Sequence, residues 1–422
     1  VMARGKTGFP KDRMYYKFRL YGFLKNLRFF EPFLILFFRE AGLSFLQIGA
    51  LFSIREIATG LLEIPTGMLA DAFGRRKAML ASFSTYILSF LVFYSTASFP
   101  LYALAMVLFA FGETFRSGTH KAMILEYLRL KGLLSQRVAY YGHTRAGSQL
   151  GSAVASLIAA GLVFYSGSLR VVFLASVIPY LLGLVLFLTY PKELDGKTVP
   201  LGGRYWQKLA QRFAAIARGS LGLLKPGRAS FTGLLQSAAF DGVFKGSKDY
   251  LQPILKSQAL ALPLFLSLGG EQRTALVVGG VYFLLYLGTS YMAQSAGRVE
   301  ARLGSPIRGV NLSYVAGLVL LGGAGVMAWL GIYPLAVASF VGLYLVQNLR
   351  RPLMVGYLSQ VIPHELMATG LSVEAQLKTG VLALVAPALG YLADRWGVGP
   401  ALMAVAGGGL GLIPLLRARG RQ

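Results

Sequence analysis

The chain is a succession of apolar blocks close to twenty residues long, divided by short loops rich in Lys and Arg. No other feature constrains its fold so tightly. About twenty apolar residues wound as an α-helix cross the hydrocarbon core of a bilayer, and a crossing segment must satisfy its backbone hydrogen bonds internally. Twelve spans are expected, at 18–38, 44–70, 78–97, 99–122, 138–164, 169–190, 230–253, 274–297, 307–330, 332–355, 367–392 and 399–416. Spans 1 and 7 contain charges that weaken their hydropathy signal. Composition agrees: 14% of residues are charged and 55% hydrophobic, where a soluble chain carries about 25% charge. Disorder, a coiled coil and most soluble enzymes are excluded on that ground. The fold class expected is an all-α polytopic membrane protein.

The 42 basic and 17 acidic residues give a net charge of +25. The basic residues lie between the apolar blocks and not on one polar domain, so nucleic acid is not the expected partner. Lys and Arg cluster in the N-terminal tail (1–17), after span 2, after span 4, in a middle linker (191–229), after span 8 and in the C-terminal tail (417–422). With an even number of crossings all of these fall on one face. The positive-inside rule makes that face, and both termini, cytoplasmic. The bundles expected on either side of the linker are 18–190 and 230–416. The linker reads either as an amphipathic helix on anionic headgroups or as a simple basic connector. The N-terminus lacks the short apolar core and small-residue cleavage site of a secretory signal. The plasma membrane, in a bacterium the inner membrane, is the expected location.

With no Cys, disulfides and cysteine chemistry are absent, and His120, His143 and His364 have no metal-ligand spacing. No phosphate-cradling Gly-x-x-x-x-Gly-Lys-Ser/Thr loop occurs. No metal, cofactor or enzymatic activity is expected. The Asn311-Leu312-Ser313 sequon sits at the start of span 9 and is read as chance.

The most specific motif is Gly67-Met-Leu-Ala-Asp71-Ala-Phe-Gly74-Arg75-Arg76-Lys77, between spans 2 and 3. Gly67 permits close helix contact and Gly74 a tight turn. Asp71 stands four residues before Arg75, a spacing suited to a charge pair. Twelve spans, a basic central linker and this loop resemble the major facilitator superfamily, over essentially the whole chain. That family carries Gly-x-x-x-Asp-x-x-Gly-Arg-Arg/Lys in this loop, matched by Gly67, Asp71, Gly74, Arg75 and Arg76. The resemblance implies two six-helix bundles, a solute cavity between them and rocking of the halves. It also implies a conformational role for Asp71, which would help hold the outward-facing arrangement by touching the start of span 11 and nearby helix ends. The second-half counterpart, Gly297-Arg298 to Gly304, is degraded. Gly390-Tyr-Leu-Ala-Asp394-Arg395-Trp-Gly397 is closer by letters but falls on the other face, as a separate packing or gating corner. The Gly-Pro of the family's antiporter signature in span 5 is missing; Gly147-Ser-Gln-Leu-Gly151 stands there.

Charges inside apolar spans are costly unless paired or hydrated, roughly 2.5–3.5 kcal/mol each on the insertion scale. Their number here points to an internal aqueous cavity. The solute-binding candidates are Arg28, Glu31, Glu56, Arg116, Asp241, Lys245, Lys248, Asp249, Glu374 and Lys378. Asp241, Lys245 and Asp249 are spaced by four, so Lys245 is expected to pair with both acids; the stripe either recognises cargo or stabilises its own helix. Glu374 and Lys378 are likewise four apart. Glu63 and Glu113 are the proton-coupling candidates. Phe29, Phe30, Tyr140, Tyr141, Tyr282 and Tyr286 either line the cavity or are ordinary lipid-facing or core packing.

The function expected is secondary active transport of a small polar or charged organic solute, driven by a proton gradient and carried out by a monomer among membrane lipids, anionic ones included. A proton-driven efflux pump for amphiphilic cations and an uncoupled facilitative carrier are the alternatives.

Overall fold

In the computed structural model, the described residues are 11–196, 206, 207, 209–211, 214, 223, 224, 228–263 and 266–420. Most of the linker, with Lys197, Arg204, Lys208, Arg212, Arg218 and Lys225, lies outside them, as do Arg4, Lys6 and Arg421 of the tails.

The described helices are α1 (Arg13–Leu24), α2 (Leu34–Glu40), α3 (Phe45–Phe73), α4 (Arg75–Ser95), α5 (Phe99–Arg116), α6 (Thr119–Leu130), α7 (Arg137–Ser166) and α8 (Val171–Leu188) in the first half. The second half holds α9 (Ala229–Ser247), α10 (Leu251–Ala261), α11 (Gly270–Leu303), α12 (Pro306–Trp329), α13 (Tyr333–Val361), α14 (Met367–Trp396), α15 (Val398–Gly411) and α16 (Ile413–Leu416). End to end they make twelve crossings in two bundles. Span 1 is α1 and α2 around a 3-10 turn at Glu31–Phe33, span 4 is α5 and α6, and span 7 is α9 and α10 around a 3-10 turn at Lys248–Tyr250. Among the described residues, eight helical stretches are long and apolar enough to cross a membrane by themselves. Spans 1, 7 and 12 fall short because they are broken into pieces. Span 10 is unbroken but carries Gln347, Asn348, Arg350 and Arg351.

Local signals set several boundaries. Asp12 and Ser44 cap α1 and α3, and Ser44 exchanges hydrogen bonds with Gln47, so two otherwise orphaned donors are satisfied at the start of α3. Gly74 joins α3 to α4 at φ 95, a conformation that favours glycine. The first half is packed with aromatic rings: Phe83, Tyr86, Phe90 and Tyr180 are all fully buried, with Tyr86 and Tyr180 centroids 5.1 Å apart.

Two long seams join the halves, α3 against α14 and α7 against α11. Because the number of crossings is even, both chain ends lie on one face, called here the terminus face.

Candidate functional site

The seams are tight toward the opposite face and splay toward the terminus face. A Cβ on Gly49 would overlap the Ala386 carbonyl, and one on Gly390 the Phe45 carbonyl. Further along α3, a Cβ on Gly60 would meet only Gln376 and Thr379, at 3.4 Å, and one on Gly67 would meet nothing within 4 Å. The second seam does the same. A Cβ on Gly279 would overlap Ala160, whereas one on Gly297 would be in open space.

Polar contacts lock the opposite face. The Asp394 carboxylate accepts from the backbone N–H groups of Phe45 and Leu46, both at 2.8 Å, capping the start of α3 from the other half. Pro387 cannot donate to Ala383, four residues earlier, and the hydroxyl of Ser53 donates to that freed carbonyl at 3.0 Å. Gln252 answers the break in span 1: its amide donates to the Glu31 carbonyl at 2.9 Å and accepts from the Ile35 N–H at 2.7 Å.

Between the splayed ends lies a cavity of about 900 Å³. Gln149 of α7 lines one wall; Ser290 and Gln294 of α11, Asn348 and Arg351 of α13, and Glu374 and Lys378 of α14 line others. All sit in the half of their helices nearer the terminus face.

Most of the embedded charges fall into three groups. In the first half Glu113 is gripped by Arg28 at 3.0 Å, by Arg116 and by the Tyr86 hydroxyl at 2.6 Å; Arg28 also pairs with Glu31 at 3.1 Å. Tyr286, from the other half, donates to Glu31 at 3.3 Å. The second group bridges the halves: Glu56 takes Arg55 at 3.2 Å and Lys245 at 3.0 Å. In the third, Lys378 reaches Asp241 at 2.6 Å and Glu374 at 2.8 Å, while Gln347 donates to Asp241 at 2.7 Å and Ser237 to Glu374.

Several expectations need correction. Lys245 pairs with Glu56 of the opposite half and not with Asp241 or Asp249; Asp241 takes Lys378, and Asp249 takes Lys248 at 2.8 Å. The 3-10 turn at Lys248–Tyr250 ends the helical register on which the Lys245–Asp249 spacing relied. Asp71 is exposed and has no hydrogen bond or ion pair with any described residue, so the expected pair with Arg75 is not formed; its contact with the start of span 11 is expected of the outward-facing arrangement, and here that end of the seam is splayed open at Gly67. Asp195 supports the loop instead: it accepts from the Arg76 N–H at 2.6 Å and packs on Gly74, while Arg75 points to the Ala122 carbonyl at 3.4 Å. Glu63 is exposed on the opened stretch of α3 and its carboxylate has no described partner. The pairing of Glu374 with Lys378 holds. Phe29, Phe30, Tyr140 and Tyr282 are buried core, and the side chain of Tyr141 lies outside the described residues.

Arg350 and Arg351 were missed. The rule that singles out a charge inside an apolar run applies to both. Both fall within the expected span 10, 332–355, near its end, and α13 continues past them to Val361.

The family model of the Major Facilitator Superfamily matches residues 26–374. An uncharacterized MFS-type transporter, YxaM of Bacillus subtilis (strain 168), is 33% identical over 90 residues; the match spans 21% of this chain and 23% of that protein. Among solved structures, a point mutant of the nucleoside transporter NupG superposes with a TM-score of 0.76 at 13% identity, covering 96% of this chain and 99% of that one. A POT family transporter in complex with 5-aminolevulinic acid superposes with a TM-score of 0.70 at 15% identity, covering 98% and 97%. The family match places the chain, and the shared architecture agrees with it: the chain belongs to the Major Facilitator Superfamily and is an integral membrane protein.

Proposed function

We propose that the chain is a secondary active transporter that carries a small polar or charged organic solute by alternating access of its two halves. One observation carries this reading. A polar cavity of about 900 Å³ lies between the halves, open toward the terminus face and sealed at the opposite face by small-residue contacts and the Asp394 cap. A rocking motion that broke the second set of contacts and closed the first would move the cavity's opening from one face to the other. The halves are 18–190 and 230–416, joined by the basic linker, and the terminus face is cytoplasmic by the distribution of Lys and Arg.

The solute site in this reading is the wall formed by Asp241, Glu374 and Lys378 together with the amide and hydroxyl groups facing it. Glu56 and Lys245 join the halves and would part when the seam moves. Glu113, Arg28, Arg116 and Glu31 form an anchor within the first half. Glu113 suits proton coupling poorly, because protonating it would leave two guanidinium groups short of their counter-charge. Glu63, whose carboxylate has no partner among the described residues, and Glu374, which shares one lysine with Asp241, are the carboxylates placed to exchange a proton during the cycle.

The test is flux into sealed proteoliposomes for a panel of solutes, with and without an imposed proton gradient. Gradient-driven accumulation of a solute that is lost in Glu374→Gln supports the proposal. Equal flux with and without the gradient would establish a facilitative carrier in its place.

A further inference from the structure

Resting on the transport reading, we propose that the cavity is an anion receptor: it takes solutes bearing a carboxylate, phosphate or similar acidic group, and Arg351 is the side chain that pairs with that group.

The argument starts from an imbalance of charge. The charged residues lining the cavity are Asp241, Glu374, Arg350, Arg351 and Lys378, three cations against two anions. Lys378 alone serves both carboxylates, and each carboxylate has a further donor, Gln347 on Asp241 and Ser237 on Glu374. The hydrogen bonds and ion pairs of the acids are therefore made without either arginine; the arginines act on them only through space, Arg351 on Asp241 and Arg350 on both.

The two arginines are adjacent on α13, and successive residues of a helix point about 100° apart. Arg350 turns into the bundle, where it is 2% exposed. Its guanidinium donates to Gln236 Oε1 and Ser313 Oγ, both at 3.0 Å, and to the Val310 carbonyl, and lies over the Phe240 ring at 4.8 Å. Every one of those partners is neutral. Arg350 thus gives its own hydrogen bonds to dipoles and lies against a ring face, with the carboxylates of Asp241 and Glu374 acting on it only through space. Arg351 turns the other way, onto the cavity wall. It is exposed, and it makes no hydrogen bond or ion pair with any described residue. By the helical rise, it lies about 15 Å from the end of α13 at Val361, which puts it well inside the helix and not in a surface loop.

A guanidinium inside a membrane protein is unfavourable unless an anion or water meets it, and its planar fork matches the two oxygens of a carboxylate or phosphate. Arg350 is held rigidly and cannot reach a solute without giving up its own bonds. Its role is to keep the cavity positive. Arg351 has its donors available. Across the cavity, Gln149, Ser290, Gln294 and Asn348 offer amide and hydroxyl groups to the polar remainder of the solute. An acid group on Arg351 with a polar body reaching Gln149 would touch both halves, as closure around a solute requires.

The test does not depend on knowing the natural solute. The chain has no Cys, so a single one introduced by Ser290→Cys reports on the cavity alone. The rates of its modification by a sulfonate-bearing methanethiosulfonate and by the trimethylammonium analogue are measured on the purified full chain. Their ratio is then divided by the same ratio for a free thiol in solution. The expected value exceeds one and falls about tenfold in Arg351→Gln, the size produced by removing one unit charge at ~10 Å in a partly hydrated cavity. Arg351→Lys should keep it near the starting value. A ratio at or below one, or a ratio that Arg351→Gln leaves unchanged, overturns the proposal. In the flux panel, matched pairs such as glucose with gluconate and glycerol with glycerol 3-phosphate are compared. Transport confined to neutral or cationic members also overturns it. A raised, Arg351-dependent ratio supports the anion site even where no solute moves, an outcome that counts against the transport reading instead.

Discussion

Asp394 holds the opposite face shut with two hydrogen bonds to backbone N–H groups of the other half. Losing a cap of this kind costs about 1 kcal/mol. Asp394→Ala should therefore raise the population opened at that face roughly fivefold. The modification rate of Leu43→Cys, a buried position beside the cap, reports the change; an unaltered rate would show that the cap does not hold the seam. The Glu113 cluster behaves differently, because removing one member of a buried ionic group leaves the others uncompensated. Glu113→Gln should cost about 3–5 kcal/mol of stability, seen as a lowered thermal unfolding midpoint in detergent, and an unchanged midpoint would show that Glu113 is not an anchor. The sequence revealed most of these charges, since a charge within an apolar run stands out by itself. It did not reveal their partners. Spacing by three or four finds neighbours on one helix, as with Glu374 and Lys378, but the partner of Lys245 lies 189 positions away on α3, and only the assembled fold brings them together.

At the scale of helices, the seams depend on residues that are small or hydroxylated. Gly49 and Gly390 allow α3 and α14 to touch backbone to backbone. Gly49→Val would force the Ala386 carbonyl away and pry the seam apart, shifting the resting state toward opening at the opposite face. Spin labels placed across that face on the two halves should move apart; an unchanged distance distribution would mean that the seam tolerates the side chain. Ser53→Ala removes a hydrogen bond whose acceptor is free only because of Pro387, a loss of about 1 kcal/mol. The existence and order of the spans were legible from apolar block length, and most ends fall within a few residues of expectation. The breaks in spans 1, 4 and 7 were not. Pro32 and Gly118 stand at two of these breaks, but a single Pro or Gly does not by itself mark one inside an apolar span, and the interruptions are held by tertiary partners such as Gln252 on span 1.

For the whole molecule, the basic loops and the motif from Gly67 to Lys77 were enough to indicate two bundles and a family. They could not indicate which way the cavity opens. That depends on the balance between contacts at the two faces: Asp71 is unengaged at one, and Asp394, in a motif of nearly the same letters, is engaged at the other. The central claim is that the polar cavity opens to the terminus face while the opposite face is sealed. Single Cys residues from Asn348→Cys and Ser290→Cys, in sealed vesicles of known orientation, test it most directly with a membrane-impermeant maleimide added to one face at a time. The account expects both positions to be labelled rapidly from the terminus face and far more slowly from the other. Equal or faster labelling from the opposite face, in the absence of solute, would contradict it.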